Sequence, residues 1–251
     1  MGTRVRIMGL EIDLLTQETL QAEITGYLSN DVLNVIHIIS VDYMDTCEKN
    51  ETVQEVLAEA DMVLPGEKTI LSAHHVEVLE TGGMAVDYHS MLQMLESLKV
   101  KERTFYLVLR NEKEAKGIYR YMTRHGLKEN VLGVYVADGN VAEETMINDI
   151  NTKLPDIILL SMDSPGQEEW LLNNRGKINA KLCLAAGSII PHILRENVHV
   201  PAWIRKIHCG GVFRFIVKIP NAKFFRERIF NRKMDDYITK KKLRGNQNER
   251  Q

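Results

Sequence analysis

The stretch Ile157–Arg175 decides the fold and reads Ile-Ile-Leu-Leu-Ser-Met-Asp-Ser-Pro-Gly-Gln-Glu-Glu-Trp-Leu-Leu-Asn-Asn-Arg. Its first four residues, Ile157–Leu160, form an apolar run with the length of a buried strand. Residues 161–166 are typical of a turn, and the Gln-Glu-Glu that follows suits the first turn of a helix, whose dipole favours acidic groups. The stretch predicts a strand, a tight loop and a helix N-terminus, the place where open α/β sheets bind ligands. An ordinary strand-to-helix connection explains the same pattern.

Similar units recur along the chain. Between residues 104 and 186, stretches of β-branched and aromatic residues alternate with stretches of helical periodicity. The strands predicted there are Thr104–Leu109, Val131–Val136, Ile157–Leu160 and Leu182–Ala186. This alternation predicts the α/β class, with a Rossmann-like parallel sheet and helices on both faces, over residues 1–200.

The last fifty residues have a different composition. From Trp203 to Gly245 there are thirteen Lys and Arg against three Asp and Glu, whereas the rest of the chain has 19 basic and 31 acidic residues. Apolar and aromatic residues alternate with these cations, which predicts a basic, helical, amphipathic C-terminal appendage over residues 201–251. Such a tail fits an anionic membrane surface, although a solvated helical tail packed on the core fits equally well.

Composition indicates a globular protein of the cytoplasm. Apolar residues make up 44% of the chain and charged residues 26%, and no apolar run approaches the roughly 18 residues that span a bilayer. The three cysteines are scattered, without metal-site spacing, and are expected to be reduced. The sequence lacks an Asp-x-Asp metal motif and glycine-rich phosphate loops, and His74-His75 has no third ligand at zinc spacing, so no cofactor is predicted.

Residues 164–170, Ser-Pro-Gly-Gln-Glu-Glu-Trp, closely resemble the G-[SA]-P-x-Q-E-x-W motif of the WecG/TagA/CpsF glycosyltransferases. Other matches keep their spacing over about residues 35–220, among them Ala60–Pro65 with A-D-L-V-L-P, Asp87 with the Asp of A-G-[ST]-D, and Pro201-Ala202-Trp203 with A-P-x-W. The resemblance implies transfer of an N-acetylhexosamine-type sugar, as in cell-envelope polysaccharide synthesis. Its implied partners are a UDP-sugar and a lipid-linked acceptor, which would place the chain on the inner face of the membrane.

The resemblance breaks at positions that carry the family's chemistry. The family has an Asp after L-P, taken as the base that deprotonates the acceptor hydroxyl, whereas here Gly66 intervenes and the carboxylate is Glu67. A family Arg that would neutralise diphosphate falls near Gly82, and a family glycine pair falls at Leu109-Arg110. Further substituted positions are Ile190-Pro191, His199 and Gly210. These joint losses suggest a degenerate active site.

The candidate site residues follow from the resemblance and from the predicted convergence of strand ends. Glu67 is the candidate catalytic base. In the family the Gln of the motif lines the nucleotide-sugar site, and Gly187 matches a glycine of the family's G-V-G-G loop. The predicted substrate-binding residues are Ser40, Gly66, Ser164, Gln167, Glu168, Gly187 and Arg214. A charge at a helix start explains Glu168 equally well.

Three hypotheses remain open at this stage. The first is an active transferase with Glu67 as its base. The second is a homologue of the same pathway that binds a nucleotide-sugar or a partner without turnover, which leaves room for self-association or for an active paralogue. The third, and the least favoured, is a nucleic-acid binder that uses the basic tail and its aromatic residues.

Overall fold

The structure is a computed structural model that describes residues 3–72, 93–97, 102–137 and 143–196. The predicted appendage, the boundary at residue 200, His74-His75, Asp87 and Arg214 lie outside these ranges. In the described part of the chain, no helix is long and apolar enough to cross a membrane.

A β-hairpin and a capped helix begin the described chain. Strands β1 (Thr3–Ile7) and β2 (Leu10–Leu14) pair antiparallel. Both residues of the turn between them have positive φ, Met8 at 50° and Gly9 at 87°, a conformation that glycine adopts without strain. Helix α1 (Gln17–Tyr27) follows, and the Thr16 side chain caps it by accepting a hydrogen bond from the Thr19 amide.

In the described part of the chain, the central sheet has six parallel strands, in the order β4-β3-β8-β7-β5-β6. Their bounds are β3 Asn34–Ile39, β4 Met62–Pro65, β5 Phe105–Leu109, β6 Val131–Val136, β7 Ile157–Leu160 and β8 Leu182–Ala185. The four strands predicted between residues 104 and 186 are all present, and their bounds agree within one residue. The predicted Rossmann-like parallel sheet is therefore confirmed.

Helices cover both faces of this sheet. Besides α1 they are α2 Val41–Lys49, α3 Glu51–Ala58, α4 Lys68–Ser72, α5 Glu112–Arg124, α6 Glu143–Lys153, α7 Gly166–Asn174 and α8 Ile190–Glu196. Short 3-10 turns occupy Lys128–Asn130 and Arg175–Lys177, and residues 93–97 are also helical. Two separate helices, α2 and α3, follow β3. Asn50 ends α2 with an extended backbone, and its side chain then caps α3 by accepting from the Val53 amide.

The alternation of side chains along the strands places the core. In β5, Phe105, Leu107 and Leu109 pack in one cluster with residues of α1, α5 and α8, whereas Tyr106 and Val108 pack with α6 and α7. Successive side chains of a strand point to opposite faces, so one apolar run fills both layers. The hairpin, α2 and α3 enclose a third apolar cluster that includes Ile39 and Val63.

The strand order creates a crevice at the carboxyl ends of the strands. Strands β5 and β7 are neighbours, but the chain continues from β5 to β6 on one side and from β7 to β8 on the other. Open α/β sheets bind ligands where the connections diverge in this way. The loop quoted from the sequence, residues 161–166, follows β7 at this point.

Candidate functional site

A cleft of about 280 Å³ opens at this crevice, formed by the ends of β3, β5, β7 and β8. Its volume is near the lower limit of roughly 300–1,000 Å³ for small-molecule sites. Its lining is mostly polar and consists of Ser40, Asp42, Tyr43, Thr46, Arg110, Met162, Asp163, Ser164, Gln167, Gly187, Ser188, Pro191 and His192. The structure thus brings four of the predicted residues together: Ser40, Ser164, Gln167 and Gly187.

Gln167 ties the two loops at the base of the cleft. Its Oε1 accepts hydrogen bonds from the amides of Gly187 at 3.2 Å and Met162 at 3.4 Å, while its Nε2 donates to Glu168 at 3.1 Å. The loops approach so closely that a Cβ on Gly187 would lie 2.2 Å from the carbonyl oxygen of Met162. Only glycine fits there without moving the backbone, so this close approach explains the family glycine at residue 187.

Glu168 lies fully buried behind the cleft wall and organises three side chains. Its carboxylate accepts hydrogen bonds from the Tyr43 hydroxyl at 2.7 Å and the Ser164 hydroxyl at 2.6 Å, besides that from Gln167. A buried carboxylate is tolerated when several donors compensate its charge, as they do here. Burial, together with the neighbouring Glu168, raises the pKa of Tyr43 far above its ordinary value, so Tyr43 remains a hydrogen-bond donor. Glu168 therefore positions the Ser164 hydroxyl at the cleft.

Ser40 joins the ends of β3 and β8. Its hydroxyl caps α2 by accepting from the Tyr43 amide at 3.2 Å, and its own amide donates to Ser188 Oγ at 3.1 Å. The Ser188 hydroxyl in turn donates to the Ile38 carbonyl at 2.9 Å. Sequence analysis missed Ser188, although it directly follows the glycine that the resemblance identified.

Gly66 and Glu67 lie beside this cleft, outside its lining as the structure describes it. Glu67 is 8% exposed, and its Oε1 accepts a hydrogen bond from the Val41 amide at 3.0 Å, directly behind Ser40. A Cβ on Gly66 would lie 2.5 Å from Ile189 Cγ2 and 2.7 Å from the Ile39 carbonyl oxygen. Tight packing therefore accounts for Gly66, and the catalytic role of Glu67 stays a prediction.

Residue 110 was predicted only as a lost family glycine, but the Arg110 side chain lies in the cleft. Its Nη2 donates to the carbonyls of Gly187 at 2.7 Å and Met162 at 3.4 Å, and its Nη1 lies 3.0 Å from Asp163 Oδ1. It is the only Lys or Arg among the described residues that line the cleft. The sequence did contain one signal for a role in the site, because Arg110 is a cation directly after the strand predicted at Thr104–Leu109.

Glu114, a second missed residue, anchors Arg110 from behind. Its Oε2 accepts from the Arg110 amide at 2.9 Å and from the Ser161 hydroxyl at 3.0 Å, which joins the ends of β5 and β7. Burial raises the pKa of Glu114 above its ordinary value, against the opposing effect of the Arg110 amide and guanidinium. The spacing of Asn111 and Glu114 fits an ordinary helix cap, so the sequence alone did not distinguish this role.

The lining of the cleft contains both positively and negatively charged side chains. Arg110 provides a cation, Asp42 and Asp163 provide carboxylates, and His192 provides an imidazole. Within the ranges that the structure describes, no three His, Cys, Asp or Glu side chains form a group able to hold a metal ion. A polyanionic ligand in this cleft would therefore draw on Arg110 and on backbone and hydroxyl donors.

Comparison with known proteins agrees with this geometry. The Glycosyl transferase WecG/TagA/CpsF family matches residues 5–226. A Staphylococcus aureus (strain MRSA252) protein named N-acetylglucosaminyldiphosphoundecaprenol N-acetyl-beta-D-mannosaminyltransferase is 19% identical over 218 residues, which cover 85% of each chain. The protein of the same name from Staphylococcus aureus (strain NCTC 8325 / PS 47) is 18% identical over the same length and coverage. The matched span includes every strand of the parallel sheet and the whole cleft, and the chain belongs to the WecG/TagA/CpsF family of glycosyl transferases.

Proposed function

We propose that this chain transfers an N-acetylhexosamine-type sugar from a UDP-sugar to a membrane lipid-linked acceptor, in the synthesis of a bacterial cell-envelope polysaccharide. The observation that carries the proposal is the position of the family motif. Ser164 and Gln167 line a polar cleft at the topological switch point, and the buried Glu168 holds the Ser164 hydroxyl in place. The names of the Staphylococcus aureus relatives, which describe mannosaminyl transfer to a diphosphoundecaprenol-linked sugar, support the same class of donor and acceptor.

In the proposed reaction, a hydroxyl oxygen of the acceptor attacks the anomeric carbon of the donor sugar. The new glycosidic bond forms while the bond from that carbon to the diphosphate oxygen breaks, and UDP leaves with the bonding electrons. A base must take the hydroxyl proton within hydrogen-bond reach. Glu67 is the carboxylate proposed for this step, because it lies one residue beyond the family's base position and adjoins the cleft wall behind Ser40.

The direct test is a transfer assay with the purified full-length protein. UDP-N-acetylmannosamine or UDP-N-acetylglucosamine is mixed with a lipid-diphosphate-linked N-acetylglucosamine acceptor in detergent, and the products are identified by mass spectrometry. The proposal predicts an acceptor that is heavier by one N-acetylhexosamine, together with stoichiometric UDP. A protein that binds UDP-sugars but forms no product with either donor would instead support the non-catalytic homologue.

The non-catalytic alternative has one observation in its favour. Glu67 Oε1 is already used by the Val41 amide, so the carboxylate has a structural function at the start of α2. A partner-binding or nucleotide-sugar-binding homologue would keep the Gln167 and Glu168 network while Glu67 served only as a cap. UDP binding without transfer is the result that this alternative predicts.

We further propose that residues 201–251 hold the protein on the anionic, cytoplasmic face of the membrane, where the acceptor lies. The support is the excess of basic residues between Trp203 and Gly245, interleaved with aromatic residues. Each cation near an anionic leaflet contributes about 1 kcal/mol to binding, so a few engaged side chains give useful affinity. Truncation after Pro201 should abolish sedimentation with phosphatidylserine vesicles, and salt should weaken sedimentation of the full chain.

A full-length control distinguishes a specific tail from general charge. Replacing Lys240, Lys241 and Lys242 with Gln should weaken vesicle binding by about tenfold or more. Replacing three exposed lysines of the described surface, Lys113, Lys116 and Lys128, makes the same charge change and should have little effect. Equal effects of the two triple variants, or complete displacement from vesicles by duplex DNA, would contradict the membrane proposal and favour nucleic-acid binding.

A further inference from the structure

We infer that the Arg110 side chain recognises the diphosphate of the donor. In the absence of the donor, the Asp163 carboxylate forms an ion pair with the Arg110 guanidinium, and a phosphate oxygen displaces this carboxylate when the donor binds. This inference rests on the proposed function, because it assigns a ligand to the same cleft. It concerns a residue that stands where the family pattern has a glycine. The cleft therefore contains a cation that the resemblance does not account for.

The guanidinium is fixed on its inner side. Its Nη2 donates to the Gly187 and Met162 carbonyls, so it spans the loops after β7 and β8. The Arg110 amide is held by the buried Glu114, whose carboxylate also accepts from the hydroxyl of Ser161 at the end of β7. The backbone amide and the guanidinium of Arg110 are thus both hydrogen-bonded at the edge of the sheet. These bonds position the positive charge before any ligand binds.

On its outer side, the guanidinium has exchangeable bonding capacity. Its partner Asp163 has a side chain that is 76% exposed, whereas the Arg110 side chain is 26% exposed. An ion pair with an exposed carboxylate contributes little, because water solvates the carboxylate equally well. Asp163 can therefore turn to solvent when a stronger anion competes.

A diphosphate matches what the guanidinium offers. Arginine presents up to five N–H donors in a planar fork that fits phosphate oxygens in pairs, and its charge persists at all physiological pH values. The bound anion would meet the Nη1–H that now faces Asp163. The nearby Ser164 and Ser188 hydroxyls also line the cleft. A neutral sugar or uracil would gain far less from this charge, which makes the phosphates the favoured ligand group.

The test measures the binding of UDP, UMP and uridine to the full-length protein by calorimetry. Arg110→Gln should weaken UDP binding by about 10- to 100-fold, the usual contribution of a charge-assisted hydrogen-bonded pair, and leave uridine binding unchanged. Arg110→Lys, which keeps the charge but not the fork, should show an intermediate loss. Lys116→Gln removes the same charge from an exposed ion pair on α5, the helix that follows Arg110 in the chain, and serves as the matched control.

Asp163→Asn provides a test in the opposite direction. Because it removes the competing carboxylate, UDP should bind severalfold more tightly, while uridine binding stays constant. Asp163 is exposed, so this variant carries the test even if Arg110→Gln fails to fold. Unchanged UDP affinity in Asp163→Asn, or equal losses of UDP and uridine in Arg110→Gln, would overturn the inference.

Additional ligands separate this inference from the proposed function. If the wild type binds UDP and Arg110→Gln binds it equally well, the role of Arg110 is refuted and the function stands. If the wild type ignores uridine nucleotides but binds inorganic pyrophosphate or another nucleoside diphosphate through Arg110, the donor class is wrong and the diphosphate site stands. Binding of none of these compounds would overturn both.

Discussion

Two regions at the same edge of the sheet differ in how closely they follow the family. The loops after β7 and β8 keep the motif residues, and Gln167 and Glu168 use their polar groups in a connected network. The loop after β4 departs from the family, since Gly66 is packed against Ile189 and Glu67 caps α2. The first region forms the walls of the cleft, whereas the second holds the carboxylate proposed as the base. The residues proposed for ligand binding and the residue proposed for proton transfer therefore lie in different loops.

The largest effect is expected from Glu67→Gln, which addresses the loop after β4. If Glu67 is the base, turnover should fall by at least about 10²-fold, while UDP affinity changes little, because Glu67 lies outside the cleft lining. Glutamine can still accept the hydrogen bond from the Val41 amide, so the α2 cap is retained. Initial rates and calorimetry with the same preparation check both parts. An unchanged rate would remove Glu67 from the mechanism.

Gly187→Ala tests the opposite region and should reduce the free energy of unfolding by about 1–3 kcal/mol. The added Cβ meets the backbone of Met162 and the Gln167 amide oxygen, so the two loops must separate and UDP affinity should fall as well. Gly176→Ala is the matched control, because a Cβ there meets no atom within 4 Å. Urea denaturation of both variants measures the difference. Equal stabilities would show that the loops are not as closely joined as described.

A smaller effect is expected at His37, which lies in β3 away from the cleft. Burial, with a further contribution from Arg175, lowers the pKa of His37 to about 4. Its Nε2 lacks a partner among the described residues, and it lines a small cavity together with Arg175 and Glu59. Because the folded state resists protonation, the unfolded state binds more protons between about pH 6.5 and pH 4, and stability falls as pH falls through that window.

The expected loss from His37 is about 1 kcal/mol on lowering the pH from 7.5 to 5.5. His37→Leu should flatten this part of the profile of unfolding free energy against pH. UDP affinity should be the same in both proteins at pH 7.5, since residue 37 affects the fold rather than the cleft. A profile that is equally steep without His37 would assign the pH dependence to other groups.

The strands were predictable from sequence because their apolar runs are short, buried on both faces and separated by helical spacing. The strand predicted at Ile157–Leu160 is an example, since β7 has the same first and last residues in the structure. The division between α2 and α3 was less accessible, because Asn50 is compatible with a helix interior and acts as a cap only through its local backbone.

The candidate site was predictable where a family match or the end of a predicted strand identified its residues, as for Gly187 and Ser40. Ser164 and Gln167 belong to one short segment, and both were placed at the cleft. The position of Arg110 in the cleft was not predicted, because its side chain is held by the carbonyl of Gly187, which lies 77 residues further along the chain. The family resemblance marked residue 110 only as a position where a glycine is missing. The direction of a long side chain is set by three-dimensional neighbours that the local sequence does not contain.

The most direct test of the central claim is a crystal structure of the full-length protein with UDP. We expect density for the nucleotide in the cleft, with the diphosphate within hydrogen-bond distance of Arg110 and close to Ser164 and Gly187. We also expect the Asp163 carboxylate to have left the guanidinium. Density for UDP at another surface, with the cleft unchanged at saturating ligand, would contradict the account.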